Sequence, residues 1–223
     1  MVLKNFLLKH RYYFLLLLIF FLAEIIVNPF GEFPLNDDWS YSKSVKIFLD
    51  TGNIQIGDWA AMSLAAHILW GALFAKIFGF KFFVLRFSTL IISYSTVCIL
   101  FFVLKKITQT NLTALIASLC LMFNPIFFNL SNTFMTDVGF LFCVLACTAC
   151  VLKFQESKSP VYFFLFFFFS LWATFTRQLG ILLPFCFVVS LLFNHHKRWH
   201  YLFVSVIFSQ ILIFKMILNL GTF

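Results

Sequence analysis

Charge is scarce in this chain. Of its 223 residues only 11% are Asp, Glu, Lys or Arg, and acids are the rarer sign, 8 against 16 basic residues. So little charge excludes a soluble domain of this size. An apolar fraction of 62% and a mean hydropathy of +1.00 agree. Strict alternation of apolar and polar residues in segments of about ten is also missing, which excludes a transmembrane β-barrel. No small-residue cleavage site cleanly follows the first apolar run, so its basic leader reads as an uncleaved signal-anchor. The six Cys (Cys98, Cys120, Cys143, Cys147, Cys150 and Cys186) all fall inside apolar runs, where they cannot build an extracellular disulfide framework. Cys143, Cys147 and Cys150 share a helical face, but no His or acid joins them, so helix packing accounts for them better than a metal site.

What the chain does have is apolar runs of roughly 15–20 residues, the length that crosses a hydrocarbon core. The expected fold is an all-α polytopic membrane protein with about seven transmembrane helices. We place them at 12–30, 84–104, 112–130, 138–154, 161–175, 179–193 and 201–218. The Phe run from Phe163 to Phe169 is lipid-facing bulk within one of them. A further apolar stretch, 62–78, is long enough to span, but charge decides against it. With 62–78 kept on one side, the loops holding Lys4, Lys9 and Arg11, Lys105 and Lys106, Lys153 and Lys158, and Lys197 and Arg198 all share a face. That face is cytoplasmic by the positive-inside rule. Residues 62–78, with His67, Trp70 and Lys76, then form an interfacial helix in an outer loop over 31–83. The net charge of +8 lies mostly in the inner loops, so no nucleic acid is needed to explain it.

Glu32, Asp37, Asp38, Asp50, Asp58 and Asp137 gather on the opposite side, densest in the stretch "PLNDDWSYSKS" at 34–44. Two adjacent carboxylates are costly to hold together, because each raises the pKa of the other. A helix cap would need only one Asp. Glu24 lies within the first span and Arg177 in a hairpin too short to leave the membrane surface; ionisable groups there are functional candidates. For Glu24 a structural ion pair with Arg86 or Arg177 is the competing account. A carboxylate can take a proton from an attacking hydroxyl, and a guanidinium offers a planar fork to a leaving phosphate. Such groups at the lipid–water boundary suit a substrate with its tail in the bilayer and its sugar in water.

Four segments, "NDDWSYSKSVKIFLDTG" (36–52), "LWGALFAKIFGFKFFVLRFSTLI" (69–91), "NPIFFNLSNTFMTDVGF" (124–140) and "TRQLGILLPF" (176–185), together resemble the integral-membrane glycosyltransferases of the C-type superfold. The protein mannosyltransferases and the aminoarabinose transferases of lipid A are the nearest groups. The resemblance implies a single polytopic domain over 1–223 that forms the front part of a longer fold. It also implies a polyprenyl-phosphate sugar as donor, a lipid, glycan or protein as acceptor, inversion at the anomeric carbon, and an integral plasma or inner membrane protein with a cytoplasmic N-terminus. By position, Asp37 matches the family's catalytic Asp, Asp38 its following acid, Tyr41 its aromatic residue and Asp137 its second acidic site. Arg177 and Arg86 are expected on the donor phosphate, with Trp39 and Gln178 as further substrate contacts. The sequence departs from the family pattern at Ser40, over 60–67 and at Gly139, which leaves sugar and acceptor open. Catalysis without cofactor or metal is expected, although a divalent cation would bind if Asp37, Asp38 and Asp137 converged.

A transporter or flippase of a lipid-linked sugar is the alternative, besides an inactive piece of the enzyme. Transporters carry polar residues and helix breaks near the midplane and often an internal repeat. Here the acids crowd one outer loop, no repeat is visible, and the spans are nearly free of charge, which favours surface catalysis.

Overall fold

The structure, a computed structural model, describes residues 2–57, 59, 60, 62–193, 207, 210, 211 and 215. Apart from the last four positions, the expected span 201–218 lies outside the described residues, as do the loop around Lys197 and Arg198, and Asp58. Helices and connecting turns make up the described chain: α1 (Val2–Val27), α2 (Asp38–Thr51), α3 (Ala65–Phe78), α4 (Phe82–Thr108), α5 (Asn111–Met122), α6 (Pro125–Ser131), α7 (Thr136–Ser157), α8 (Pro160–Thr176), a 3-10 turn (Gln178–Ile181) and α9 (Leu182–Phe193).

Among the described residues, three segments, His10–Val27, Phe82–Thr108 and Thr136–Ser157, are long and apolar enough to cross a membrane, or four if the bent pair Asn111–Met122 and Pro125–Ser131 is one span, against the seven expected. The chain is therefore an all-α polytopic membrane protein. Large apolar side chains on α1, among them Leu18, Phe21, Leu22 and Ile26, are exposed, as a lipid-facing surface requires. The first span ends earlier than expected. Asn28 adopts φ 53° and Pro29 follows, so the helix stops at Val27.

The expected third span, 112–130, is two helices bent by 65°. Pro125 has no N–H to donate and holds Asn124 extended at φ −62°, ψ 125°. The Asn124 Oδ1 then caps the new helix, accepting from the backbone N–H groups of Ile126 at 3.0 Å and Phe127 at 3.1 Å. The segment 161–175 lies in α8, whose 17 residues reach about 25 Å at 1.5 Å per residue. The segment 179–193 is divided between the 3-10 turn and α9.

Both ends of the bundle are marked by charge. At one end Glu156 pairs with Lys106 at 2.5 Å and Lys153 at 3.5 Å, tying the last turn of α4 to that of α7. At the other end the Glu32 carboxylate accepts from the Phe82 N–H at 2.8 Å, and Asp137 lies in the first turn of α7. Among the described residues, Lys106 and Lys153 therefore share one end of the bundle, and Glu32 and Asp137 lie at the other.

Helices α2 and α3 cover that acidic end. Tyr41, Val45, Leu64, Ile68, Ala72, Ala75, Leu85 and Phe134 form one buried cluster. Ala65, Ile68, Ala72 and Ala75 of α3, three and four residues apart, meet the protein, while Leu69, Leu73 and Ile77 are exposed. Close approach depends on Gly71, where an added Cβ would lie 2.5 Å from the Phe134 ring. In a separate buried cluster, Cys147 and Cys150 pack against Phe166 and Phe187, in keeping with their packing role.

Candidate functional site

The two adjacent Asp part company at the start of α2. Asn36 takes φ 51° and turns the chain after Pro34. Asp37 occupies the cap position of α2, yet its side chain makes no capping bond. Its Oδ1 instead accepts from the Trp59 indole N–H at 3.1 Å, and the residue stays half-buried. Asp38 points inward and is fully buried. Its Oδ1 accepts from the Leu35 N–H at 2.6 Å, and its Oδ2 from the Phe134 N–H at 3.5 Å. Burial pushes the Asp38 carboxyl up, against the pull of those two N–H groups and of Arg86; the Asp37 charge contributes least. The tension expected of a carboxylate pair thus falls on Asp38, and its main cause is lost water.

Arg86, expected on the donor phosphate, is bonded to the backbone of the turn after α1. Its guanidinium is 1% exposed and donates to the carbonyls of Pro29 at 3.2 Å, Gly31 at 2.9 Å and Phe33, with the Phe33 ring 4.9 Å away. A turn that carries three free carbonyls beside a membrane needs donors, and Arg86 supplies them, which leaves its fork no room for a phosphate. Glu24 likewise finds neither Arg86 nor Arg177. The Asn132 amide donates to its Oε1 at 3.5 Å, and its Oε2 has no partner.

Arg177 lies between α8 and the 3-10 turn in extended backbone. Its Nη2 pairs with Asp137 Oδ1 at 2.8 Å, and its Nε donates to Thr136 Oγ1 at 2.9 Å. The Thr136 hydroxyl donates in turn to Met62 Sδ at 3.0 Å, as does the Tyr41 hydroxyl at 3.8 Å. Burial raises the Tyr41 phenol above its ordinary value; the charges of Asp37 and Asp137 add to the rise and that of Arg177 opposes it. Met62 Sδ thus joins the Tyr41 hydroxyl to Thr136, the residue that Arg177 holds. His67 stacks on Phe134 with ring centroids 4.0 Å apart, and its Nε2 lies 3.3 Å from the Phe134 carbonyl. Burial depresses it to about 4, so it stays neutral near pH 7 and the Nε2–H donates.

The geometry brings Asp37, Tyr41, Asp137 and Arg177 to one end of the bundle. It places Asp38 and Arg86 beneath them as supports. Trp39 is exposed beside Trp59, 6.4 Å between ring centroids, and Gln178 is exposed in the turn after Arg177. Sequence reasoning missed Trp59, Met62 and Thr136 as members of the site. Only Thr136 carried a signal, its place beside Asp137. Asp37, Asp38 and Asp137 do not form a ligand set; among the described residues no three His, Cys, Asp or Glu group closely enough to hold a metal ion.

Arg177 is held in place by Gly180, whose added Cβ would lie 2.3 Å from the Thr174 nitrogen and 2.4 Å from the Ala173 carbonyl carbon. Backbone at that distance cannot yield as a side chain would. Gly180→Ala is expected to lower the thermal midpoint of the purified protein, because the turn that follows Arg177 must open; a wild-type midpoint would show that the turn relaxes freely.

Comparison with known proteins gives one family. The family model described as dolichyl-phosphate-mannose-protein mannosyltransferase matches residues 64–218. The match covers Arg86, Asp137 and Arg177 and starts after Asp37 and Asp38. No curated protein and no solved structure gives a significant match.

Proposed function

The chain belongs to the dolichyl-phosphate-mannose-protein mannosyltransferase family, and from that membership we propose a reaction, a donor and a face for this membrane glycosyltransferase. A sugar passes from a polyprenyl phosphate to a hydroxyl of a lipid, glycan or protein acceptor, at the outer face of the plasma or inner membrane. The N-terminus and the basic end of the bundle lie in the cytoplasm. The observation that carries the reading is a chain of contacts at the acidic end: Arg177 donates to Thr136 Oγ1 at 2.9 Å, the Thr136 and Tyr41 hydroxyls both point at Met62 Sδ, and Asp37 precedes Tyr41 by one turn at the start of α2.

The acceptor oxygen bonds to the anomeric carbon while the bond from that carbon to the phosphate oxygen breaks, the electron pair leaving on the phosphate. Asp37 takes the acceptor's proton. Attack opposite the leaving group inverts the anomeric carbon. Thr136 and Asp137 occupy Nε and Nη2 of Arg177 and fix its plane, which leaves Nη1 for the phosphate. The reading needs no cofactor.

The test is whether purified protein, given labelled polyprenyl-phosphate mannose and a mixed acceptor pool, releases free polyprenyl phosphate. Arg177→Ala should weaken donor binding by roughly 10–100-fold, the worth of a charge-assisted hydrogen bond, and Arg177→Lys should restore part of it. Unchanged donor affinity in both variants would remove Arg177 from the site. Movement of the intact donor across a vesicle without release of phosphate would make the protein a flippase.

A further inference from the structure

Beside Asp37 the outer surface carries a cleft that the transfer reaction as described does not use. It has a volume of about 360 Å³ and is lined by Trp39, Ser40, Lys43, Ser44, Gln55 and Trp59, among others. Two features set it apart from the apolar grooves elsewhere on the bundle. Its two indoles are exposed, Trp39 by 45% and Trp59 by 66%, at a depth where neither serves the core. Its polar groups are hydroxyls, an amide and an amine, with no carboxylate among the lining residues.

We propose that this cleft binds a saccharide, and that the saccharide is the glycan acceptor of the transfer reaction. The inference rests on the transferase reading for the acceptor role, but not for saccharide binding itself. A sugar ring presents an apolar C–H face and a rim of hydroxyls. Exposed Trp side chains supply flat apolar area with little conformational entropy to lose, and Lys43 and Gln55 supply polar groups around it, with Ser40 and Ser44 buried in the wall. The Lys43 ammonium has no ion-pair partner among the described residues and favours a sugar that carries a carboxylate. The position favours the acceptor over the donor. Trp59 lines the cleft and, through its indole N–H, also holds Asp37, so a sugar stacked there would bring a hydroxyl toward the proposed base. Arg177, the proposed phosphate ligand, is not among the lining residues.

The experiment is a tryptophan-fluorescence titration of the full chain in detergent with three soluble probes: cellotetraose, chitotetraose and tetragalacturonate. At least one should bind saturably, tetragalacturonate most tightly. Trp39→Ala, which leaves Trp59 and Asp37 in place, should weaken binding at least about tenfold. Lys43→Ala should lose the preference for tetragalacturonate while keeping the neutral probes. No saturable binding by any probe, or binding indifferent to Trp39→Ala, overturns the proposal. A short donor, farnesyl-phosphate mannose, distinguishes the two sources of sugar. Saccharide affinity within twofold in its presence supports the acceptor assignment, and competitive displacement would make the cleft the donor's sugar site and overturn that assignment. Saccharide binding without any sugar transfer would sink the transferase reading alone; transfer without saccharide binding would sink the cleft alone.

Discussion

Asp37→Asn is expected to cut sugar transfer by roughly 100-fold or more while donor affinity stays near that of the unaltered protein. The substitution keeps the side-chain shape and an Oδ1 able to accept from Trp59, the bond that holds Asp37 at 3.1 Å. What it removes is the basicity needed to take a proton from the acceptor. Asp38 is the control, because its two oxygens are committed to the N–H groups of Leu35 and Phe134 and no solvent reaches it. Asp38→Asn turns one of those acceptors into a donor facing a donor, so its cost should appear as a lower thermal midpoint rather than as slow turnover in the protein that remains folded. Normal transfer by Asp37→Asn together with a folded, inactive Asp38→Asn would exchange the two roles. Full activity in both would leave the acidic pair as a loop feature and take the centre out of the mechanism.

Arg86→Leu should destabilise the protein by about 3–5 kcal/mol, the range for removing one partner from a buried, charge-assisted network. The carbonyls of Pro29, Gly31 and Phe33 would lose their donors at once, in the turn that joins α1 to the acidic stretch. Arg86→Lys should recover only part of the loss, since an ammonium cannot span three carbonyls as a planar fork does. Thermal unfolding in detergent measures the first effect, and donor binding by the folded fraction decides the interpretation. A variant as stable as the unaltered protein but unable to bind polyprenyl phosphate would return Arg86 to the substrate side and dissolve the carbonyl clamp.

The break between α5 and α6 shows how a readable signal is lost inside a stronger one. Asn124 and Pro125 form a dipeptide that ends a helix and starts another, but apolar residues on both sides make 112–130 look continuous to any hydropathy window. The end of α1 is similar: Asn28 and Pro29 stop it, although Phe30 prolongs the apolar run. In both places local backbone geometry overrules the apolar pattern, and the dipeptide carries the information.

From the sequence alone came the membrane class, the all-helical build and, among the described residues, the separation of Lys106 and Lys153 from Glu32 and Asp137. All of these follow from the energy of moving apolar and charged groups between water and hydrocarbon, a property of each residue taken in order. The sequence also singled out Asp37, Asp137 and Arg177. The division of labour between neighbours was a matter for the tertiary structure. Asp37 and Asp38 are the same residue type one position apart, but one turn of α2 directs the first to Trp59 and the second to Phe134, 96 residues away. Arg86 and Arg177 are both cations at the acidic end, but packing encloses the first among backbone carbonyls and leaves the second 25% exposed against Asp137. Which charge is spent on the fold and which is left for a substrate depends on partners distant in the chain, and only the folded packing of α1, α2, α4, α7 and α8 brings those partners together.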